Sequence, residues 1–327
     1  MRLPRPFLQL PVLFETARLQ SEVAAVPAEA WAPHPDKVPG NSAVRLISAG
    51  GGETDGFYGQ MLPTPWLADM PYLRQVLAAF GVVWGRSRLM QLAPGAHVPE
   101  HADIHHHWHW RVRLHIPIFT RPEVLFHCDG QTVHMGAGEA WIFDNWRLHQ
   151  VENNSSEARV HLVADTTGTA GFWRFACGQA PPRERWRTVG WDPEADPRLL
   201  TENDQRLPIM PAAEVQLLVD DLRADLATSA ETRMRAAQFS QMLEAFVIDW
   251  RQLCALHGID GRGRAEFARL AASLRSAAKP LADGLVMRTN GVSALLVLEK
   301  RVVQQLIPDG DSPEVVHHAA SSSTAVS

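Results

Sequence analysis

The sequence predicts a mainly β core, an antiparallel sandwich or barrel, with helices before it and an all-α region after it. Two observations carry this prediction. Short apolar segments of alternating character recur between residues 86 and 167, and segments with helical spacing lie on either side of them. The composition agrees, because 46% hydrophobic and 20% charged residues in a chain of 327 are ordinary for globular proteins.

The N-terminal part contains two predicted helices. Residues 15–26 and 72–80 have apolar side chains at helical spacing, and these segments end near Pro27 and Gly81, where a helix stops. Residues 34–56 lie between them and are rich in turn-forming residues, so they predict loops and a short strand.

Short β segments then follow one another at close intervals. The turn sequences APGAH, CDGQ, GAGE and ENNSSE separate them. Strands at this spacing are typical of an antiparallel sandwich or barrel. The segments are SRLMQL (87–92), RVRLHIPIF (111–119), EVLFHC (123–128), AWIFD (140–144) and ARVHLVAD (158–165).

The chain changes character near residue 180. Residues 178–211 carry six prolines and predict a connection, and the small, polar tail predicts disorder. The helical patterns cover residues 212–228, 231–257 (ending at Gly258), 263–277 and 291–306. The predicted organisation is a β domain with its N-terminal helices over residues 1–177, a connection over 178–211, a helical region over 212–307 and a disordered tail over 308–327.

Charge, cysteines and hydropathy limit the class of protein. A net charge of −5 without a basic block argues against nucleic-acid binding. The cysteines are odd in number and far apart, which favours buried free thiols in a reducing compartment: Cys128, Cys177 and Cys254. Prolines interrupt the apolar N-terminus, and no run approaches the roughly 18 apolar residues of a membrane helix. We therefore expect no signal peptide and a cytoplasmic protein.

The stretch PEHADIHHHWHWRVRLH, residues 99–115, contains six histidines. Such a tract can bind metal by composition alone. A more specific pattern is the pair His101 and Asp103, because residues i and i+2 of a strand point to the same side. His149, at the start of another strand-like segment, is the best third ligand. Two histidines and one carboxylate form the facial triad of non-haem Fe(II) oxygenases.

Arg159 follows His149 by ten residues, with the turn sequence NNSSE between them. This turn predicts a hairpin that brings Arg159 across from His149, near the open side of the metal. A guanidinium there suits bidentate binding of a carboxylate. A 2-oxo acid cosubstrate requires this combination of metal and arginine.

The segment RVRLHIPIF adds a second polar signal. A period of two places Arg111, Arg113 and His115 on one face. Charged residues that face one way in an otherwise apolar strand indicate a polar cavity. The opposite face is apolar and consists of Val112, Leu114, Ile116 and Ile118.

From about Arg86 to Gly168 the sequence resembles the aspartyl/asparaginyl β-hydroxylase family of Fe(II)- and 2-oxoglutarate-dependent dioxygenases, which includes bacterial proline cis-4-hydroxylase. The resemblance rests on RLMQLAPGAHVPEHAD, RVRLHIPI and VHMGAGEAWIFDNWRLHQVENNSSEARVHLVADTTG. It implies a cupin-like double-stranded β-helix, or jelly roll, with iron at its mouth. It also implies hydroxylation of an unactivated carbon, with succinate and CO2 as coproducts of 2-oxoglutarate.

The resemblance implies three iron ligands, His101, Asp103 and His149. The animal peptidyl hydroxylase lacks a carboxylate ligand where this chain has Asp103, so the chain looks more like the bacterial branch with a complete triad. Arg159 matches the arginine that pairs with the distal carboxylate of 2-oxoglutarate. The R-x-H pair of the family, which contributes to cosubstrate binding, matches Arg113 and His115.

The other histidines match nothing in the family. Neighbouring positions of HHHWHW alternate in direction and cannot all converge on one ion, so we expect a surface or entrance loop formed by His105, His106, His107 and His109. Alternatively, part of this run lines the substrate mouth, where the candidates are His107, His109 and Trp110, with Trp108 as a further choice. Asp144 and Trp146 either shape the surroundings of the metal or act as a turn residue and a core aromatic. We expect structural roles for His97 and His127.

The substrate stays open at the level of sequence. The family favours an amino-acid-type substrate, either a free amino acid or a peptidyl Asp or Asn. The alternatives are a hydroxylase of lipid acyl chains and a non-catalytic, cupin-like metal-binding or sensing protein. For the C-terminal helices, covering the jelly roll or forming a contact between copies of the chain is favoured over selecting a partner or substrate.

Overall fold

The computed structural model describes residues 2–35, 38–179, 181–308 and 319–320. They form two compact units. One comprises residues 2–101 and 110–205, and the other comprises residues 102–109, 206–308 and 319–320. The predicted boundaries of the β domain, connection and helical region remain a prediction. The predicted disordered tail lies almost entirely outside the described residues.

The first unit is built from strands, and its segments of alternating apolar residues form strands where the sequence predicts them. In chain order the strands are β1 (Phe7–Phe14), β2 (Ala32–Pro33), β3 (Asn41–Ala49), β4 (Gly59–Pro63), β5 (Val83–Leu92), β6 (His97–Ala102), β7 (Val112–Phe119), β8 (Val124–Cys128), β9 (Gln131–Val133), β10 (Glu139–Phe143), β11 (His149–Asn153), β12 (Arg159–Thr166), β13 (Arg187–Val189), β14 (Leu200–Thr201) and β15 (Asn203–Asp204). A further two-residue strand is Ala319–Ala320.

Two sheets make up the β core. The larger has the order β13-β1-β10-β7-β12-β5-β3-β4-β15, and the smaller contains β6-β11-β8-β9 in that order. The strand pairs that β1 to β12 form with one another are antiparallel. Examples are the pair of β7 with β12 and the pair of β6 with β11. The predicted antiparallel β core is confirmed.

Strand β7 shows how the sequence pattern produces a two-faced strand. Its apolar face, Val112, Leu114, Ile116 and Ile118, is buried in the main hydrophobic core as predicted. Full burial of each such aliphatic side chain contributes roughly 1.5–3 kcal/mol. The opposite face carries Arg113 and His115, which line a pocket.

The predicted hairpin between His149 and Arg159 is wrong. Strand β11 pairs with β6 and β8 in the smaller sheet, whereas β12 pairs with β5 and β7 in the larger sheet. The NNSSE segment therefore crosses between sheets. Buried Asn153 holds this crossing, because its side-chain amide donates to the carbonyls of Leu92, Ala93 and Glu157.

Several parts of the large sheet were not predicted, and one of them is β4. The proline-interrupted N-terminus forms β1, which pairs with β10, and the proline-rich connection contributes β13, β14 and β15. Pro11 interrupts the alternation of β1, whereas β13, β14 and β15 are only two or three residues long and too short to show one. Proline is tolerated at sheet edges and bulges, and β1 has an irregularity between Leu10 and Leu13.

The helices before and after the main strands follow the predicted spacing. Those of the first unit are α1 (Thr16–Ala24), α2 (Pro65–Ala68), α3 (Pro71–Ala78) and α5 (Ala170–Cys177), with 3-10 turns at Ala28–Ala30 and Arg183–Arg185. The helix α4 (His107–Trp110) is one turn long. The helices of the second unit are α6 (Ala212–Ala224), α7 (Arg233–His257), α8 (Arg264–Leu281), α9 (Ala294–Val297) and α10 (Gln304–Leu306), with a π-helical segment at Leu298–Val303.

The end of α7 agrees with the prediction. Gly258 has a φ of +74°, a conformation that glycine adopts at little cost, and its N–H donates to the carbonyl of Cys254. Among the residues that the structure describes, no helix has both the length and the apolar character needed to cross a bilayer.

The three cysteines are free thiols, but only one is a buried hydrophobe as predicted. Cys128 is buried, and burial raises the pKa of its thiol to about 12. Cys254 is partly exposed and Cys177 is exposed, so the expectation of burial is wrong for them. Both lie near helix ends, where the chain meets solvent.

Candidate active site

His101 and His149 face each other across the β6–β11 pair. They are register partners, and their ring centroids lie 4.2 Å apart at an interplanar angle of 54°. Both side chains are buried. Directly opposed residues of an antiparallel pair project from the same face, so strand pairing alone brings these two imidazoles together.

The orientation of each ring is fixed by a backbone carbonyl. Nδ1 of His101 donates to the Pro99 carbonyl at 2.7 Å, and Nδ1 of His149 donates to the Arg147 carbonyl at 2.9 Å. A carbonyl only accepts, so Nδ1 of each ring carries the proton of its hydrogen bond. Metal-binding histidines are oriented in this way.

Asp103 completes a group of three candidate ligands. One atom from each of His101, Asp103 and His149 lies within 4.8 Å of the others, and all three side chains are buried. Atoms about 2.0–2.2 Å from one ion lie within about 4.4 Å of each other, so side-chain adjustment closes the set. Two imidazole nitrogens and one carboxylate suit Fe(II) with open coordination positions. The structure thus brings the three predicted ligands together.

Asp144 organises the turn that precedes His149. Its carboxylate accepts hydrogen bonds from the backbone N–H groups of Leu3 and Trp146 and from Nε of Arg147. Arg147 in turn supplies the carbonyl that orients His149. Asp144 is therefore a turn residue, and through that turn it also shapes the surroundings of a candidate ligand.

Arg159 is a buried cation at the start of β12. Its Nη2 donates to Nδ1 of His161 at 2.8 Å, and its guanidinium lies 5.3 Å from the centre of the Phe126 ring. Among the described residues it has no acidic partner. Burial lowers the pKa of Arg159 to about 9, so it is charged at neutral pH. A buried charge without a counter-ion is costly, which makes this position suited to an anion.

His115 and His161 lie beside Arg159 and are neutral. Burial, and then the positive charge of Arg159, lowers the pKa of both imidazoles well below 6.5. Neither ring nitrogen of His115 has a hydrogen-bond partner among the described residues. A buried polar group in this situation is suited to a ligand.

Phe143 lies between the metal ligands and this polar group. Its ring centroid is 4.8 Å from that of His149 and 5.3 Å from that of His115. Phe126 stacks on His161 at 5.9 Å. Two aromatic rings therefore form an apolar wall beside the candidate metal centre and the buried arginine.

A second group of cations lies in the same pocket. Arg86 and Arg88 on β5 and Arg113 on β7 line it, together with the carboxylate of Asp55. Nη1 of Arg88 lies 3.1 Å from Asp55, whereas Arg86 and Arg113 each lie 3.7 Å from Asp165. Burial lowers the pKa of Arg86 to about 9. We call Arg86, Arg88 and Arg113 the arginine cluster.

The loop between β3 and β4 carries Asp55. Gly50 and Gly51 have φ values of +66° and +71°, which permit its tight turn. Burial acts to raise the pKa of Asp55, but the hydrogen bond from Arg45 and the charges of Arg88 and Arg45 outweigh it, so the pKa is lowered. Asp55 is thus an anion held against arginines.

One pocket contains both polar regions. It encloses about 870 Å³ of empty space, open solvent at its mouth included, and His101, His149, His115, Arg113 and Arg159 all line it. Arg111, predicted on the same face, instead forms ion pairs with Glu202 and Asp204 at 2.8 Å.

Several residues of the site were missed at the level of sequence, among them the pocket residues Asp55, Arg86 and Arg88, as well as His161 beside Arg159. His161 shares a strand face with Arg159, and Arg86 and Arg88 share a face of β5, so a period of two could have found these three. Asp55 had no comparable signal, because loop geometry alone brings it to the pocket.

The expected surface or entrance loop at HHHWHW is wrong. The run forms the short helix α4 and the turn before it, and His105, His106, His107 and Trp108 are buried. His109 is partly exposed and Trp110 more so. Helical residues of the same unit supply its polar partners. Contact of His107, His109 or Trp110 with substrate remains a prediction.

One part of the chain matches a known protein family. The model of the aspartyl/asparaginyl beta-hydroxylase family matches residues 57–168. This segment is therefore similar to that family. The hydroxylase segment contains His101, Asp103 and His149, as well as Arg159 and the R-x-H pair. Asp55 and helices α6 to α10 lie outside it.

Hydroxylases of this family are 2-oxoglutarate- and Fe(II)-dependent oxygenases, and the chain carries the His-Asp-His triad. Solved structures are more distant. A 2OG-Fe(II) oxygenase-family oxidoreductase from Burkholderia pseudomallei is 15% identical, with a TM-score of 0.35 over 48% of this chain and 81% of its own. A Pseudomonas putida prolyl-4-hydroxylase is 15% identical, with a TM-score of 0.34, and the match covers 51% of this chain and 95% of the hydroxylase. A cupin barrel protein from Salinispora arenicola CNS-205 is 16% identical, with a TM-score of 0.27, and the match covers 47% of this chain and 94% of the barrel protein.

Proposed function

We propose that this protein is an Fe(II)- and 2-oxoglutarate-dependent hydroxylase with an amino-acid-type substrate. One observation carries the proposal. A pocket that contains two histidines of the His-Asp-His group also contains a buried arginine without an acidic partner among the described residues. A metal with open positions and a guanidinium for a carboxylate are what a 2-oxo acid needs.

The residues present fit both groups. His101, Asp103 and His149 would hold Fe(II), because the two imidazoles present Nε2 and the carboxylate supplies a hard oxygen. Arg159 would bind the distal carboxylate of 2-oxoglutarate. His115, with no hydrogen-bond partner for either nitrogen among the described residues, and Arg113 would assist in binding the cosubstrate.

Bound Fe(II) supplies the activation of O2, so that the substrate, 2-oxoglutarate and O2 become the hydroxylated product, succinate and CO2. The protein contributes position and environment. Phe126 and Phe143 keep water from the buried wall. Arg159 carries the positive charge, and neutral His161 orients it by accepting a hydrogen bond at Nδ1. The proposal requires no acid–base pair.

The arginine cluster supports an anionic group on the substrate. Arg86 and Arg88 line the pocket on β5, a different strand from the one that carries Arg159. The carboxylate of a free amino acid or of a peptidyl Asp suits such cations. An acyl chain would place apolar groups against these charged side chains, which favours an amino-acid-type substrate over a lipid.

The test is turnover of 2-oxoglutarate. We expect purified protein with Fe(II), ascorbate and 2-oxoglutarate to form succinate slowly alone and faster with a true substrate. A panel of amino acids, Asp- and Asn-containing peptides and hydroxylipids identifies the substrate by succinate yield, with His149→Ala as the inactive control. Stimulation by lipids only would contradict the substrate class. Metal binding without succinate formation from any substrate would favour a cupin-like sensor.

A further inference from the structure

The segment that carries Asp103 belongs to the helical unit. Residues 102–109 cluster with residues 206–308, and Ile104, directly after Asp103, is buried. Nε of Arg301 donates to the Ile104 carbonyl at 3.4 Å, and Nη1 of Arg301 forms an ion pair with Asp221 on α6 at 3.0 Å. Arg301 is itself buried. One guanidinium therefore connects the backbone beside Asp103 to helix α6.

The histidine run makes further contacts with the same helices. Nε2 of His106 lies 2.8 Å from the carboxylate of Glu214, and Nδ1 of His109 lies 3.6 Å from Asp221. Nε2 of His105 lies 3.4 Å from the side-chain amide of Gln305. Polar contacts are thus spread along the run on both sides of Trp108. The run is an attachment of the Asp103 segment to the helices.

Arg301 lies in an unusual element. Residues Leu298–Val303 form a π-helical segment between two short α-helical pieces. Such segments are rare and occur often at functional sites, because the wider turn redirects side chains. Leu298, Val302 and Val303 are buried, so the wider turn retains its packing while it presents a buried cation.

We propose that Arg301 is a positioning residue for the metal ligand Asp103. The inference rests on the proposed function, since it requires metal binding by the triad. Arg301 fixes the carbonyl of the residue that follows Asp103, and this restrains the backbone from which the carboxylate projects. His101 is held separately, through β6 and the Pro99 carbonyl. A metal site needs its ligands held to about half an ångström, so loss of this restraint weakens binding without removing any ligand.

Two variants separate positioning from folding. Arg301→Lys retains the charge opposite Asp221 but loses the Nε–H that donates to the Ile104 carbonyl. The double variant Arg301→Met/Asp221→Asn removes both charges, so no buried ion is left without a partner. The matched control is Arg275→Met, which breaks the ion pair of Arg275 with Glu299 on the same π-helical segment but does not touch residues 102–109.

The readout is binding of Co(II) to the full-length protein, followed by its visible absorption, with urea unfolding of the metal-free protein measured in parallel. We expect both variants to bind Co(II) about 10- to 100-fold more weakly than the wild type, the range typical when groups that orient ligands are lost. The Co(II) bands should also change, as the carboxylate ligand becomes less well held. Arg275→Met should retain the affinity and the spectrum of the wild type.

Wild-type affinity and spectrum in both variants would overturn the positioning role. An equal loss in Arg275→Met would overturn it too, because the effect would then follow from general weakening of the helical unit. Failure of the wild type to bind Co(II) would instead refute the metal site, and with it both the proposed function and this inference. If the wild type binds Co(II) and the variants bind it equally well, the positioning role is refuted but the proposed function is not.

Discussion

Nη2 of Arg159 donates a hydrogen bond to Nδ1 of His161 across 2.8 Å within one face of strand β12. A guanidinium only donates, so His161 accepts at Nδ1 and is the neutral tautomer with its proton on Nε2. This bond orients Arg159 without neutralising it. The buried pair therefore retains a full positive charge for an incoming anion.

Removal of the Arg159 charge should abolish strong cosubstrate binding. We expect Arg159→Met to weaken 2-oxoglutarate binding by about 30-fold or more, the equivalent of about 2–5 kcal/mol, because a buried carboxylate would lose its partner. Arg159→Lys should recover only part of the affinity, since an ammonium cannot form the planar bidentate pair. Calorimetric titration measures both, with Arg121→Met, at an exposed arginine, as the control. Equal affinity in Arg159→Met would contradict the assignment.

The pH dependence of cosubstrate affinity should reflect the same residue. Because burial lowers the pKa of Arg159 to about 9, the cation is present at neutral pH and is lost as the pH rises through 9. We expect 2-oxoglutarate affinity to fall above pH 9, by up to tenfold per pH unit, as only the protonated arginine binds the anion. The Arg159→Met variant should lack this alkaline limb in the same titrations. A persistent limb would assign it to another group.

Stability of the metal-free protein should fall in mild acid. The pKa values of His115 and His161 lie well below 6.5 in the folded state because of burial and nearby positive charge. Below pH 6.5 the unfolded chain binds protons that the folded chain does not, so the free energy of unfolding decreases as the pH falls. Two such groups give a slope of up to about 2.7 kcal/mol per pH unit.

Urea unfolding between pH 5 and 7.5 measures this slope. His161→Phe should reduce the slope by about half of the two-group contribution, since one titrating group is removed. His97→Gln, at an exposed histidine of β6, is the control for substitution of a histidine. An unchanged slope in His161→Phe would mean that this histidine does not contribute to acid instability.

Loss of one triad ligand should remove strong metal binding. His149→Ala deletes an Nε2 ligand whose ring is buried and oriented by the Arg147 carbonyl, so we expect Fe(II) binding to be lost and succinate formation to cease. The control is His97→Ala, which changes a histidine on the same strand as His101. This variant should bind Fe(II) normally. Metal content after dialysis, together with succinate yield, provides the measurement. Retained iron in His149→Ala would require a different ligand set.

The local sequence pattern was sufficient to predict a strand and its two faces where one face is buried in the core and the other is not. Strand β7 is the clearest case, because its apolar and polar faces alternate and both lie where the period of two predicts. The pair His101 and Asp103 was recognisable for the same reason. His149 was chosen as the third ligand because it begins another strand-like segment, and the resemblance to a family agreed with that choice. The pattern failed for β1, in which prolines interrupt the alternation.

Pairing between distant segments was harder to predict. The turn NNSSE has a hairpin composition, yet β11 and β12 join different sheets, because each finds partners that are remote in sequence. Arg159 therefore reaches the pocket by a crossing between sheets. A residue that lines the pocket was thus predicted with the wrong connection, since turn composition indicates chain reversal but not which strand lies alongside.

The sequence alone was enough to predict a β core followed by helices and a His-Asp-His group, because these depend on side-chain types and on their positions within strand-like segments. Only the tertiary structure decided that HHHWHW is buried and attached to helices, that His161 orients Arg159, and that Arg86 and Arg88 line the same pocket. The physical reason is that burial, tautomer and charge balance are set by neighbours distant in the chain, such as Glu214 for His106. Residue spacing along one strand carries no information about them.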